Sequence, residues 1–402
     1  MTAKWLTVVG IGEAGLASLA PTARAVVDAA EVLVGGARHL AMIPDDGRER
    51  LEWPTPISDA FPDIEARRGT RFCVLATGDP LNYGVGAMLA RHFPIEDLDF
   101  MPGPSAFSLA AARFGWSLPD AECLTIHGRP ADRVRGAVAP GRRLLILCGN
   151  GDDPASVAVM LSGCGYAGSS LAAFEHMGGP KERRIEGTAG AWPPEPIADL
   201  VTLAVECVAD AGATTYSHAA GLPDEAFVND GQLTKREVRA ATLAMLAPLP
   251  GELLWDVGAG CGSIAIEWLR VHPSCRAVAI ERDEKRLGFI RENAAALGVP
   301  CLEMVGGVAP AALDGLDPPH AVFVGGGVAA EGLLEACWAA LKSGSRLVAN
   351  VISVEGEHAL YGWQAAHGGE FRRIAVQHAT PVGRFLSWRP KMPVTQYVGV
   401  KP

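Results

Sequence analysis

The run Leu253-Leu254-Trp255-Asp256-Val257 passes straight into Gly258-Ala259-Gly260-Cys261-Gly262 and then into Ser263-Ile264-Ala265-Ile266-Glu267-Trp268. This reads as a strand, a tight glycine turn and the start of a helix, the opening unit of an α/β sheet. Missing β-carbons let the backbone of such a turn approach a ligand closely. The spacing G-x-G-x-G is one residue tighter than the dinucleotide fingerprint G-x-G-x-x-G, so by itself it carries no diphosphate implication.

The residues downstream narrow what that turn serves. The next expected strand ends Val278-Ala279-Ile280-Glu281, placing a carboxylate about 20 residues past the turn, where an adjacent strand presents it to ribose hydroxyls. One carboxylate accepts from two hydroxyls; the alternative reading of Glu281 is a solvated strand end. Asp256 is either a turn cap or a negative charge beside a cationic ligand. Val322-Phe323-Val324 ends in Gly325-Gly326-Gly327 at the carboxyl edge, where open α/β sheets bind their ligands. Either something bulky approaches there or the glycines form a permissive turn. Asn350 sits late in the fifth expected strand of this half and either faces the reacting centre or is a turn asparagine.

At 402 residues the chain exceeds one typical core of roughly 100–200 residues and suits two domains. The first half alternates short β-rich runs, Leu6–Val9, Val32–Val34, Phe72–Ala76, Leu144–Cys148, Leu171–Phe174 and Leu200–Glu206, with Ala-rich helical stretches, which again implies α/β layers. A polar, turn-prone stretch follows. The expected boundaries are therefore residues 1–210, a linker over 211–228, and a second domain over 229–402. In the second half, Thr234 with Glu237 three residues on has the capping-box pattern for a helix running toward Leu246 and stopped by Pro248. Expected strands are Leu253–Val257, Ala277–Glu281, Leu302–Val305, Ala321–Val324 and Arg346–Val351, and the β-rich tail from Arg372 to Val400 suggests a closing hairpin.

Composition removes several classes of function. A net charge of −10 with no long basic run makes nucleic acid a poor partner. The nine cysteines are an odd number without a C-x-x-C pair and sit mostly in apolar runs, as in a reducing compartment. No run of 18 apolar residues exists, and Met1-Thr2-Ala3-Lys4-Trp5 leads directly into a strand without a signal-peptide pattern, so no membrane partner and a cytoplasmic location are expected. The ten histidines lack metal-ligand spacing, and no metal is expected.

Val8-Val9-Gly10-Ile11-Gly12-Glu13-Ala14-Gly15 matches G-x-G-x-x-G after a strand and raises NAD binding. A dinucleotide site wants an acid at the end of the second strand, yet Glu31 precedes Val32-Leu33-Val34 and Gly35-Gly36 fills the exit. More informative are Gly78-Asp79-Pro80 after the run Val74–Thr77, and Pro102-Gly103-Pro104-Ser105-Ala106 leading into a helix. Their backbone groups suit an adenosyl and amino-acid moiety; taken singly, each also reads as an ordinary β-turn.

Together, Val9-Gly10-Ile11-Gly12, Gly78-Asp79-Pro80 and Pro102-Gly103-Pro104-Ser105 resemble the tetrapyrrole methylase family, and Cys123–Pro130 resembles its corrin C-5 branch. The second half resembles the corrin C-15 methyltransferase and decarboxylase family through Gln232-Leu233-Thr234-Lys235, Asp256–Gly262, Ala309-Pro310 and Val324-Gly325-Gly326-Gly327. The resemblance implies an α/β chain: a two-lobed tetrapyrrole methylase fold, then a Rossmann-like domain with a mostly parallel sheet. It implies S-adenosylmethionine as cofactor, with two sites per chain. In the first half Gly78, Asp79, Pro80, Ser105 and Ala106 would hold it. In the second half Gln232, Thr234, Asp256, Gly258, Gly260, Gly262, Glu281 and Gly306 would do so, with Gly325, Gly326, Gly327 and Asn350 toward substrate.

The substrate implied is a small-molecule corrin precursor, methylated on two meso carbons and stripped of a ring acetate carboxyl. Association into a homo-oligomer is a further family expectation, although no heptad seam argues for it. Gly306-Gly307 stand where many related folds place an acid for the adenine amine, so backbone groups would hold adenine. Gly12-Glu13-Ala14-Gly15 lacks the proline common near Ala14.

Methyl transfer from a sulfonium is an in-line displacement that depends on holding donor and carbon at near-attack distance. Loss of carbon dioxide beside a conjugated ring feeds electrons into the macrocycle, and an apolar carboxylate pocket favours it. No side chain is identifiable for that step; Arg384 either orients a substrate carboxylate or is solvated surface. The alternatives are an NAD-dependent dehydrogenase using Gly10–Gly15, or a sensor that binds S-adenosylmethionine without turnover.

Overall fold

The structure, a computed structural model, describes residues 4–402. Met1-Thr2-Ala3, the start of the run expected to lead into the first strand, lie outside the described residues. The chain divides into two compact units, Met1–Ala131 with Ala137–Thr214, and Asp132–Gly136 with Thr215–Pro402.

The first unit contains two sheets. Strands β1 (Leu6–Ile11), β2 (Val32–Gly35), β3 (Glu49–Glu52), β4 (Phe72–Thr77) and β5 (Leu98–Met101) form an all-parallel sheet in the order β3-β2-β4-β1-β5. Alternate residues of β1 enter different cores: Leu6 and Val8 join one, Val9 and Ile11 the other. A sheet buried on both faces needs near-continuous apolar strands, and LTVVGI and FCVLAT supply them. Strands β6 (Ala121–Thr125), β7 (Arg143–Leu147), β8 (Ser170–Glu175), β9 (Arg183–Thr188) and β10 (Val201–Glu206) form the second sheet in the order β6-β7-β10-β8-β9. Only β6 and β7 run parallel there. This is the two-lobed architecture expected.

The second unit is built on seven strands: β11 (Leu253–Val257), β12 (Arg276–Glu281), β13 (Glu303–Gly306), β14 (Ala321–Val324), β15 (Arg346–Val351), β16 (Glu370–Ile374) and, after β17 (Gln377–Val382) and β18 (Phe385–Pro390), β19 (Val394–Val400). Their order is β13-β12-β11-β14-β15-β19-β16. The strands β11 to β15 are parallel, and β19 inserts antiparallel between β15 and β16. The tail is thus not one hairpin but two nested pairs, β16 with β19 in the main sheet and β17 with β18 apart from it.

One local expectation is corrected. The helix after the linker begins at Arg236 with Lys235 as its N-cap and without a side-chain cap, so Thr234 is not the capping residue. Arg239, fully buried, reaches back to the Thr234 carbonyl, and the same guanidinium donates to Glu267 Oε1 at 2.5 Å. Buried charge wants partners more than an exposed first turn wants a cap. The helix ends at Leu246, with Ala247 left-handed at φ 44°.

Among the described residues no helix is long and apolar enough to cross a membrane, and no group of three or more His, Cys, Asp or Glu side chains is placed to hold a metal ion.

Candidate active sites

In the second unit β11 lies where the strand order reverses, with β12 on one side and β14 on the other, the position at which open α/β sheets bind ligands. The glycine turn leaves β11 here. Gly258 has φ +71°, and a β-carbon on it would lie 2.9 Å from the Gly326 amide nitrogen. Only glycine lets this turn pack against the triple glycine after β14.

Glu281 ends β12 beside the turn and is 5% exposed. Its Oε2 accepts the Gly260 amide at 2.8 Å, and its Oε1 accepts the amides of Arg282 at 2.9 Å and Asp283 at 3.1 Å. The carboxylate is neither free nor a solvated strand end. Its remaining lone pairs are available to hydroxyl donors. Asp256 lies deeper, 1% exposed. Its Oδ2 accepts the Ala265 amide at 3.0 Å, and its Oδ1 has no partner among the described residues. Burial pushes its carboxyl up to about 7; the Ala265 amide opposes this and the Glu281 charge adds to it.

These loops open on a cavity of about 1220 Å³. Gln232, Thr234, Gly258, Gly260, Glu281, Gly325, Gly326, Gly327 and Asn350 all line it, whereas Asp256, Gly262 and Gly306 do not. Gly262 serves as the N-cap of the helix Ser263–Val271. Gly306 is exposed, and its neighbour Gly307 reaches the wall, donating its amide to the Glu281 carbonyl at 3.1 Å.

Asn350 belongs to β15 rather than to a turn. Its Nδ2 donates to Thr242 Oγ1 at 2.8 Å, and its Oδ1 accepts Gln396 Nε2 at 3.0 Å. Lys235, quoted in the sequence only as the end of a family motif, and Arg286, His378 and Lys391, which no pattern marks, also line the cavity. His378 lies in β17 and Lys391 directly follows β18, where nothing but a structure places them beside the glycine loops. Arg384 instead lies against Phe385 at the β17–β18 turn, outside the cavity lining.

In the first unit the three loops quoted for the resemblance meet at the carboxyl edge of the parallel sheet. The Gly78 amide donates to the Ile11 carbonyl at 3.1 Å, and the Gly103 amide to the Gly78 carbonyl at 2.9 Å. A β-carbon on Gly10 would lie 1.7 Å from the Gly78 oxygen, so the first loop needs glycine for the second to dock. Asp79 is half-buried and turns its Oδ1 onto the Leu81 amide at 2.9 Å, and Pro80 is buried behind it. The Ser105 hydroxyl accepts the Ser108 amide at 3.1 Å, capping the helix that begins at Ala106.

A parallel sheet with an antiparallel strand inserted near its edge, a glycine turn and a neighbouring strand-end acid, preceded by a two-lobed α/β unit, defines a methyltransferase with a second methylase-type unit. Family models agree: one described as Tetrapyrrole (Corrin/Porphyrin) Methylases matches residues 5–192, and one described as Precorrin methyltransferase domain matches residues 225–401.

A precorrin-6Y C(5,15)-methyltransferase [decarboxylating] from Sinorhizobium sp is 44% identical over 398 residues, covering 99% of this chain and 96% of the relative. The protein of that name from Mycobacterium tuberculosis (strain CDC 1551 / Oshkosh) is 43% identical over 397 residues, with 98% of each chain covered. The crystal structure of the C-terminal domain of precorrin-6Y C5,15-methyltransferase from Rhodobacter capsulatus is 42% identical, covering 46% of this chain and all of that one, at a TM-score of 0.44. The chain belongs to the precorrin-6Y C(5,15)-methyltransferase (decarboxylating) family.

Proposed function

We infer that this chain is a decarboxylating C-methyltransferase of cobalamin biosynthesis that methylates two meso carbons of precorrin-6Y, with the work divided between residues 1–210 and 229–402 across the linker 211–228. The observation that carries the reading is full-length similarity to enzymes of this name, joined to two loop systems, one in each unit.

The second unit fits S-adenosylmethionine on its own geometry. A cradle that β-carbons would fill is floored by Gly258, and a buried acid at the end of the neighbouring strand keeps lone pairs free for ribose hydroxyls. When bound, that cofactor supplies an electrophilic methyl group. Gln232, Thr234, Gly258, Gly260 and Glu281 would hold it against the sheet edge. In the first unit Gly78, Asp79, Pro80, Ser105 and Ala106 would do the same, so two sites per chain are expected. Here the contacts would be largely backbone, since Asp79 and Ser105 already spend side-chain oxygens on local amides.

The cavity of about 1220 Å³ exceeds what one drug-sized ligand takes, roughly 300–1,000 Å³, leaving room for part of a macrocycle beside the cofactor. Corrin precursors carry many carboxylates, and Lys235, Arg286, His378 and Lys391 line the wall that would meet them. Gly325, Gly326 and Gly327 let the ring plane approach, and Asn350, fixed by Thr242 and Gln396, presents an amide whose orientation does not wander. The working location proposed is the cytoplasm.

The deciding experiment is a mass spectrum of the product after incubating the full chain with precorrin-6Y and methyl-labelled S-adenosylmethionine. Two labels gained and one carbon dioxide lost is the expected result. One label with the carboxyl retained would remove the decarboxylase role from the second unit, and no label would return the chain to a binding role.

A further inference from the structure

The first unit holds a carboxylate–imidazole pair that no step above uses. Glu13 lies two residues past the end of β1, and its Oε2 lies 2.8 Å from Nδ1 of His176, the residue after β8. The other oxygen of Glu13 takes the guanidinium of Arg38. Arg38 Nη2 in turn donates at 2.8 Å to the hydroxyl of Thr77, the last residue before Gly78. The pair is therefore wired to the loop proposed to hold the cofactor. The Glu13 side chain is 14% exposed and that of His176 25%, so the carboxylate is shielded while the imidazole keeps an open side.

The loop carrying His176 seats on the same loop cluster. A β-carbon on Gly179 would lie 2.5 Å from Glu13 Cβ, and one on Gly178 would touch Leu109 of the helix that Ser105 caps. His176 itself sits at φ +46°. That left-handed backbone is uncommon for a residue with a side chain, although histidine adopts it more readily than most, and such positions gather at functional sites. An ionised carboxylate can only accept, so Nδ1 is the donor and the lone pair lies on Nε2. The one hydrogen bond of the ring among the described residues is that of Nδ1, which leaves Nε2 without a partner there.

Replacing a meso C–H by C–CH3 creates one proton for every methyl installed. We propose that His176, oriented by Glu13, accepts that proton in the methylation carried out by the first unit, an assignment that rests on the function inferred above. The π pair of the meso carbon forms the bond to the methyl carbon as the methyl–sulfur bond breaks and leaves its pair on sulfur. The meso hydrogen then leaves as a proton to Nε2, its bonding pair returning to the ring, and the imidazolium is stabilised by Glu13 before releasing the proton to water.

Two substitutions keep the backbone tolerable, because asparagine and glycine both accept a positive φ. In the full chain, His176→Asn should slow formation of the first unit's meso methyl about 100- to 1,000-fold, within the usual range for a proton acceptor. Methyl-13C NMR of the product separates this methyl from the second unit's, which should form at the wild-type rate. Added imidazole should restore at least tenfold of the rate lost in His176→Gly. Nitrogen-15 NMR of the wild-type imidazole should report the proton on Nδ1, and Glu13→Gln should disturb that tautomer.

A His176→Asn rate within twofold of wild type, a His176→Gly loss that imidazole leaves untouched, or a wild-type proton on Nε2 would each overturn the proposal. Failure of the wild-type chain to form either methyl is a different result, and would overturn the function itself.

Discussion

Glu281 accepts the amide of Gly260 at 2.8 Å, so the acid ending one strand clamps the glycine turn that leaves its neighbour. The ribose contact proposed for Glu281 and the rigidity of the turn therefore share one carboxylate. Glu281→Gln keeps the size but removes the charge and one acceptor. The expected outcome is a 10- to 100-fold weaker cofactor Kd at the second unit, about 1.4–2.8 kcal/mol, with the first unit's Kd unchanged. Calorimetric titration that resolves the two sites checks it, and a Kd within twofold of wild type would remove Glu281 from the binding set.

Asp256 makes the second unit's stability depend on pH. Its folded carboxyl is raised from 3.8 to about 7, so the folded state holds a proton that the unfolded state releases earlier. The contribution is fully present below about pH 4 and is lost as pH rises through about 7. Asp256→Asn should accordingly raise the second unit's melting temperature at pH 8, by an amount equivalent to about 1–3 kcal/mol. The gain should shrink as pH falls and vanish only below about pH 4, in a pH series of thermal unfolding.

Arg239 has no exposed surface and pairs with Glu267, itself 2% exposed. Glu267 also accepts the amides of Gly221 at 2.6 Å and Leu222 at 3.0 Å. The pair straps residues 221–235 onto the sheet domain and so positions Gln232 and Thr234. Arg239→Met leaves the Glu267 carboxylate buried without its countercharge and should cost about 3–5 kcal/mol in urea unfolding of the second unit. Arg239→Met with Glu267→Leu should recover part of that loss; no recovery would mean the pair is not the cause.

Gly10→Ala should act on the first unit alone. The added methyl would lie 1.7 Å from the Gly78 oxygen, and backbone must move to admit it. A destabilisation of about 3 kcal/mol, at the upper end of overpacking costs, is expected in the first unit's calorimetric transition. The second unit's transition should stay in place.

In the first unit the strands that the sequence reveals are those buried on both sides, whereas in the second even the edge strand β13 is legible, within a residue of its bounds. β1, β2, β4 and β11 are apolar runs ending in glycine, and each was readable. The four strands that patterning passed over in the first unit, β3, β5, β6 and β9, are the four edge strands. Sequences such as ERLE and RRIEGT carry charge there because one side faces water. The same divide runs through the sites. The glycine loops and Glu281 are legible because a tight turn after one strand and an acid ending the next leave a fixed spacing in the sequence. Lys391 and His378 are not, since the cavity gathers them from a segment with no local signature. In the sequence Glu13 marks only a departure from a proline-containing loop; its pairing with His176 spans 163 residues of chain.

The insertion of β19 between β15 and β16 has a consequence for how the molecule is made. An interior position of the second sheet is filled by its last-synthesised strand, Val394–Val400, and Gln396 on that strand fixes Asn350. During synthesis the first unit can assemble while the ribosome is still translating the second, as N-terminal domains generally do. The second unit cannot complete its sheet until translation has passed Val400, so the setting of Asn350 is finished after the rest of the sheet.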